Sequence, residues 1–178
     1  NGNLNNMDHF NNVTNICCTF PDFSATVEQA PDGSMYWSIH RTTAWNDSAG
    51  NSYPAGISII KTNRTGHIQW VKTASTTGTV TADDRSGHSS YFYGRMFADN
   101  SGVTIMGRIQ SSSSLTYGNT TYSTNSSSQS HFLMSFDSNG NLNNMDHFNN
   151  ASGWPYSDLS ATVKQAPDGS MYWSIHRT

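Results

Sequence analysis

Six Asn-X-Ser/Thr triplets are the residues whose type and spacing most directly imply chemistry: Asn12 (NVT), Asn46 (NDS), Asn63 (NRT), Asn119 (NTT), Asn125 (NSS) and Asn150 (NAS). The side-chain amide of such an asparagine accepts N-linked oligosaccharide, a modification of exposed loops in secreted proteins. A chain rich in Asn, Ser and Thr yields such triplets by chance, so position matters more than number. Asn12 and Asn150 hold equivalent places in a repeat and stay acceptors although the residues after them differ. Asn63 falls at an expected turn. Together they point to a secreted, extracellular or cell-surface glycoprotein, with Ser/Thr tracts at 73–81 and 111–128 suited to O-linked sugar.

No other constellation competes. There is no Gly-x-Ser-x-Gly elbow, phosphate loop or framed acid pair, so no catalytic residues, enzyme activity or cofactor are expected. Asp137-Ser138-Asn139-Gly140-Asn141 starts like a calcium loop but has no Glu at the twelfth position. A hairpin turn using Asn-Gly explains it better. Asp8–His9 and its copy Asp146–His147 suggest dyads, yet adjacent strand residues point to opposite faces. His40 and His176 are likewise read as hydrogen-bonding strand residues, and no metal site is expected. Cys17 and Cys18 are adjacent and missing from the second copy of the repeat, so they do not frame the fold. A vicinal disulfide, an inter-chain crosslink and bridges to elsewhere are all open. Trp37, Trp70 and Trp173 sit in strand patterns and read as core. Trp45 and Trp154 sit in loops and are the candidate ligand contacts.

Charged residues are 12% of the chain, about half the usual share. Aromatics are also 12%, too many for a disordered composition. A net charge of -3 gives no basic footprint for nucleic acid. No apolar run approaches the ~20 residues of a membrane span.

The elements that must position these residues are set by repetition. NGNLNNMDHFNN occurs at 1–12 and again at 139–150. SATVEQAPDGSMYWSIHRT at 24–42 returns at 160–178 with one change, Glu28 to Lys164. The chain is therefore one long repeat of roughly 137 residues and the start of the next, the mark of an array architecture.

Within it, hairpins follow one another. ATVEQ, a Pro-Asp-Gly turn and MYWSIHR give the first. GISIIKT–NRTG–HIQWVKT (56–73) gives the second, YFYGRMFA–DNSG–VTIMGRI (91–109) the third and HFLMSF–DSNG–NLNNMDHF (131–148) the fourth. The fifth, 160–178, repeats the first. Residues 73–90 read as a loop and 111–130 as a polar Ser/Thr insert. No stretch has a 3.6-residue stripe, so the fold class is all-β. Ala30, Ala98 and Ala166 precede turns at equal spacing, which divides the repeat into two units of four antiparallel strands. Four-stranded units of this size predict propeller-like blades, about two and a half of them. The boundaries are 1–23, the end of a preceding blade plus linker; 24–73, blade A; 74–150, blade B with its insert; and 151–178, linker and half of the next blade A. The polar inserts between second and third strands would share one rim.

FLMSFDSNGNL and ISIIKTNRTGHIQWVKT resemble the strand–D-x-x-G–strand–W segment of the bacterial and archaeal SBBP-type β-propeller repeats. VEQAPDGSMYWSIHR and RMFADNSGVTIMGRI are similar to the A-x-D-x-x-G-x-x-Y-x-x-G hairpin of that family. The resemblance covers most of the chain and implies blades in a surface or secreted protein; it carries no catalytic residues. Asn143 and Asn144 depart from it, standing where an apolar residue is common.

Two and a half blades do not close a ring, and open strand edges pair with other chains. The expectation is a window of a head-to-tail homopolymer or of a longer run of the same repeats. Its partners would be itself and covalent glycans. The function expected is a structural segment of an extracellular, glycosylated filament, sheath or appendage. The alternative is an adhesin or lectin-like propeller that binds carbohydrate or protein.

Overall fold

The computed structural model describes residues 24–82, 95–126, 130–149, 159–166 and 170–177. Asn12, Asn150, Cys17, Cys18, Trp154, Asp8 and His9 lie outside the described residues.

Every regular element among the described residues is a β-strand, and every pairing is antiparallel. In chain order the first seven are β1 (Ser24–Gln29), β2 (Met35–Arg41), β3 (Trp45–Asn46), β4 (Ser52–Tyr53), β5 (Gly56–Thr62), β6 (Ile68–Thr77) and β7 (Val80–Thr81). They are followed by β8 (Arg95–Asp99), β9 (Gly102–Ile109), β10 (Ser114–Tyr117) and β11 (Thr120–Ser123). Last come β12 (Ser130–Asp137), β13 (Leu142–Asn149), β14 (Leu159–Gln165) and β15 (Met171–Arg177). The first sheet runs β1-β2-β5-β6-β10-β11, and the second runs β13-β12-β9 with β7 and β8 both on the far side of β9. β3–β4 and β14–β15 are separate hairpins.

One turn chemistry builds most of the hairpins. Ala30, Asp47, Asn63 and Asp137 each donate their N–H to the carbonyl four residues on, at 2.9–3.0 Å. The glycine at the fourth position of each turn has φ between +83° and +87°, the left-handed step that ends a type I turn in a bulge. Where the first residue is Asp or Asn, its side-chain oxygen also accepts the N–H groups two and four residues on. The D-x-x-G and N-x-x-G spacings are thus turn chemistry, and the calcium-loop start at Asp137 is one of them.

The two sheets pack face to face. Tyr36, Ile57, Ile59 and Ala74 of the first meet Val103, Ile105, Phe132, Met134 and Phe136 of the second in one core, each almost fully buried. Burial of such side chains is the main stabilising term, about 1.5–3 kcal/mol apiece. The central strand β5 is buried at all seven positions, because its other face supports a smaller cluster of Ile39, Ile60 and Trp45. β13 ends its sheet, and its Asn143 and Asn144 are exposed there while Met145 packs on the core. Polar residues on an end strand discourage adventitious pairing.

Two expectations need correction. The stretch read as a loop from residue 73 instead continues β6 through Thr77, crossing the expected 73/74 boundary, and then forms β7. The polar insert at 111–130 contains β10 and β11, which extend the first sheet by pairing Ser114–Thr116 with Thr77–Ser75. The physical reason is mutual. Each stretch is polar and β-branched with no alternation of its own, but together they satisfy one another's backbone and hydroxyl groups. Thr77 and Ser114 hydroxyls lie 2.7 Å apart, and Thr116 and Thr121 hydroxyls 3.0 Å apart.

Candidate assembly interface and glycan-bearing positions

The joint between the sheets is the most elaborate polar and aromatic arrangement among the described residues. Because β1-β2-β5-β6 and β8-β9-β12-β13 each wind as up-and-down meanders, the turns β1–β2, β5–β6, β8–β9 and β12–β13 lie at one end. There the turns of one sheet bond those of the other. Asp32 N–H donates to Asn100 Oδ1 at 3.1 Å. The Ser138 carbonyl accepts from Lys61 Nζ at 3.0 Å and from Trp70 Nε1 at 3.1 Å. Gly140 is required at this joint, since a Cβ there would come 2.9 Å from both Trp70 Cδ2 and Lys72 Cε.

Behind the turns runs a ladder of rings. Tyr36 meets Trp70 edge-on at 5.9 Å, Trp70 lies 6.2 Å from Phe136, and Phe136 meets Tyr117 edge-on at 5.4 Å. Lys61 is buried, with Nζ 5.6 Å from the centre of the Tyr36 ring. Burial, reinforced by Asp32, Asp99 and Asp137, pushes the Tyr36 phenol up to about 12, so it stays protonated. The β10–β11 hairpin straps the joint from the other side. It is bonded to the first sheet, yet Tyr122 OH donates to the Met145 carbonyl at 2.8 Å and its ring stacks on His147 at 4.0 Å.

The acceptor asparagines fall at both ends. Asn63 is in the β5–β6 turn, where its Oδ1 accepts from Thr65 N–H (3.0 Å), Thr65 Oγ1 (2.7 Å) and His67 N–H (3.0 Å). All three bonds use Oδ1; Nδ2, the atom that carries sugar, takes part in none of them. Asn46 on β3, Asn119 in the β10–β11 turn and Asn125 after β11 are exposed. They lie on the connections between second and third strands; Asn46 and Asn125 are at the end opposite Asn63, whereas β10 runs antiparallel to β6 and carries the Asn119 turn back from that end.

Trp45 is not available to a ligand. It is 2% exposed, stacks on Tyr53 at 4.4 Å and donates Nε1 to Ser58 Oγ. Its loop is shaped by Asp47, whose carboxylate accepts from Ala49 N–H, Asn51 N–H, Asn51 Nδ2 and Tyr53 OH at 2.8–3.0 Å. Burial pushes this carboxyl up, but the bonds from Asn51, Tyr53 and Ala49 outweigh it and hold it below the usual carboxylate range. Asp47→Ala is expected to cost about 1–3 kcal/mol, because hydrogen bonds to a charged group are the strong ones. Urea titration would measure the loss. A red shift of tryptophan emission should accompany it as Trp45 becomes wet, and unchanged emission would contradict this placement.

Trp37 and Trp70 are partly buried, each against one of the two clusters. Asp146 and His147 do not act as a pair: Asp146 Oδ1 accepts the His147 backbone N–H, and the imidazole lies on Tyr122. Among the described residues no group of three His, Cys, Asp or Glu converges on a point. Among the described residues no helix is long and apolar enough to cross a membrane. Sequence reasoning missed Asp47, Lys61 and the cross-sheet role of Trp70. Asp47 was findable, since Asp47-x-x-Gly50-Asn51 has the spacing of Asp137-x-x-Gly140-Asn141. Comparisons with protein-family models, curated proteins and solved structures find no match to this chain.

Proposed function

We propose that the chain is a structural segment of an extracellular, glycosylated filament, sheath or appendage. In this reading the four-strand meanders β1-β2-β5-β6 and β8-β9-β12-β13 are propeller-like blades, and blades join head to tail with themselves. The observation that carries it is the joint: two antiparallel sheets lock through turn-to-turn bonds and a ring ladder, and among the described residues no group of three His, Cys, Asp or Glu converges. Near-identity of 24–42 and 160–178 means that the same surface recurs along the array. A joint whose two sides differ repeats indefinitely unless its rotation closes a ring. Exposed Asn46, Asn119 and Asn125 would carry the hydrated coat. The adhesin alternative loses Trp45 as its contact residue.

Light scattering of the glycosylated protein against concentration tests the reading, together with a glycosidase mobility shift. Growth to species of many copies and a downward shift are expected. A fixed small mass at all concentrations, with no shift, would overturn it.

A further inference from the structure

Among the described residues one asparagine stands directly before a glycine: Asn139 before Gly140, in the turn between β12 and β13. An asparagine carboxamide is open to attack by the next amide nitrogen when that residue is glycine, whose lack of a side chain permits the approach. Asn139 is exposed, and none of the turn's hydrogen bonds uses its carboxamide. The attacking atom is held back instead. Gly140 N–H donates to the Asp137 carbonyl at 3.0 Å. The Asp137 carboxylate fixes the peptides on either side, accepting from Asn139 N–H and Asn141 N–H at 2.8 Å and from Asn141 Nδ2 at 2.9 Å. The same turn belongs to the joint. Its Ser138 carbonyl takes Lys61 Nζ and Trp70 Nε1, and Gly140 lies against Trp70 and Lys72. The groups that bind the sheets thus also keep the Gly140 nitrogen from its target.

We propose that Asn139–Gly140 is a self-modification site guarded by the joint: it stays intact while the sheets are locked, and it converts when they part, so that they do not lock again. The Gly140 nitrogen gives its proton to solvent and bonds to Asn139 Cγ. The Cγ–Nδ2 bond breaks, and Nδ2 leaves as ammonia after taking a proton from water. The five-membered imide then adds water. Opening at Cγ leaves aspartate; opening at the main-chain carbonyl leaves isoaspartate, whose backbone runs through Cβ and Cγ. Isoaspartate lengthens the chain between Ser138 and Gly140 by one carbon–carbon bond, about 1.5 Å. That is half the 3.0 Å length of the bond from Lys61 to Ser138, and Trp70 and Lys72 stand against Gly140 where the slack would go. The joint concerned lies within one chain, so this conversion does not depend on assembly of copies.

The test holds the full chain and a synthetic peptide of residues 135–143 in mildly alkaline buffer. Conversion at Asn139 is followed by proteolysis and mass spectrometry, with the two products separated by chromatography. Conversion about tenfold slower in the folded chain is expected, the factor by which one hydrogen bond to a charged group holds a conformation. Trp70→Phe removes one donor to Ser138 and keeps a ring, and should speed conversion in the folded chain several-fold. Asp47→Ala, destabilising but outside the joint, should not. Equal rates in chain and peptide, no acceleration by Trp70→Phe, or equal acceleration by Asp47→Ala would each overturn the guard. Chain converted to isoaspartate should melt below Asn139→Asp, which adds the charge without the extra carbon. Equal melting temperatures overturn the one-way release.

Discussion

Gly102→Ala is expected to be the most damaging single substitution of a methyl group in the described sheets. Gly102 starts β9 with φ +152°, in the region that disfavours a side chain, and lies between β8 and β12. A Cβ there would stand 1.9 Å from the Phe136 carbonyl oxygen and 2.9 Å from Asp137 Cα. Both are backbone atoms of the neighbouring strand, so no side chain can turn aside. The backbone conformation costs about 1–3 kcal/mol, and forced separation of packed strands about 1–3 kcal/mol more. The sum is a large part of the roughly 5–15 kcal/mol that holds a domain folded. Thermal unfolding followed by circular dichroism should show a fall of roughly 5–20 °C for a chain of this size. A change within experimental error would mean that β9 and β12 are not held at this spacing. Because Phe136 stands on the ring ladder, the same substitution should also weaken the joint.

A second large effect is expected from pH, through His131. This side chain is 6% exposed on β12, in register with Arg108 on β9 and Phe148 on β13. Burial, and then the Arg108 charge, lowers its pKa from 6.5 to about 4. In the unfolded chain the imidazole takes a proton as pH falls below 6.5; in the folded chain it stays neutral until about 4. The unfolded state therefore binds more protons across that window, and stability falls as pH falls. At about 1.4 kcal/mol per unit, the loss approaches about 3 kcal/mol by pH 4. Urea midpoints at pH 7, 6, 5 and 4 would follow it. His131→Gln should flatten the dependence between 6.5 and 4, whatever it does to stability at pH 7. The hydrogen-bonded carboxyls Asp32, Asp47 and Asp137 are held below their usual range, so their contribution is lost at still lower pH. Parallel pH curves for the two proteins would contradict the buried neutral imidazole.

The regular part of this architecture was legible because turn chemistry is local. Pro31-Asp32-Gly33, Asn63-x-x-Gly66 and Asp137-x-x-Gly140 each need only their own residues to reverse the chain, and the strands beside them alternate in period two. What could not be read locally was the fate of the polar stretches. Ser75–Thr77 and Ser114–Thr116 are strands only because each meets the other, and no periodicity in either announces a partner about 40 positions away. Trp45 misled for the same reason. Beside Asn46 and Gly50 it reads as a loop residue, yet the Asp47 turn folds it back onto Ser58. The joint was half legible. Trp70 and Phe136 belong to strand faces that any alternation count marks as core. That Trp70 Nε1 and Lys61 Nζ share one carbonyl on the facing sheet depends on how the sheets slide against each other. The repeat showed that units would meet; it did not show which atoms bind them.

Electron microscopy of negatively stained native material tests head-to-tail assembly most directly. Fibres whose axial repeat matches one or two four-stranded units are expected. Discrete closed rings, or isolated particles of a single chain, would contradict it.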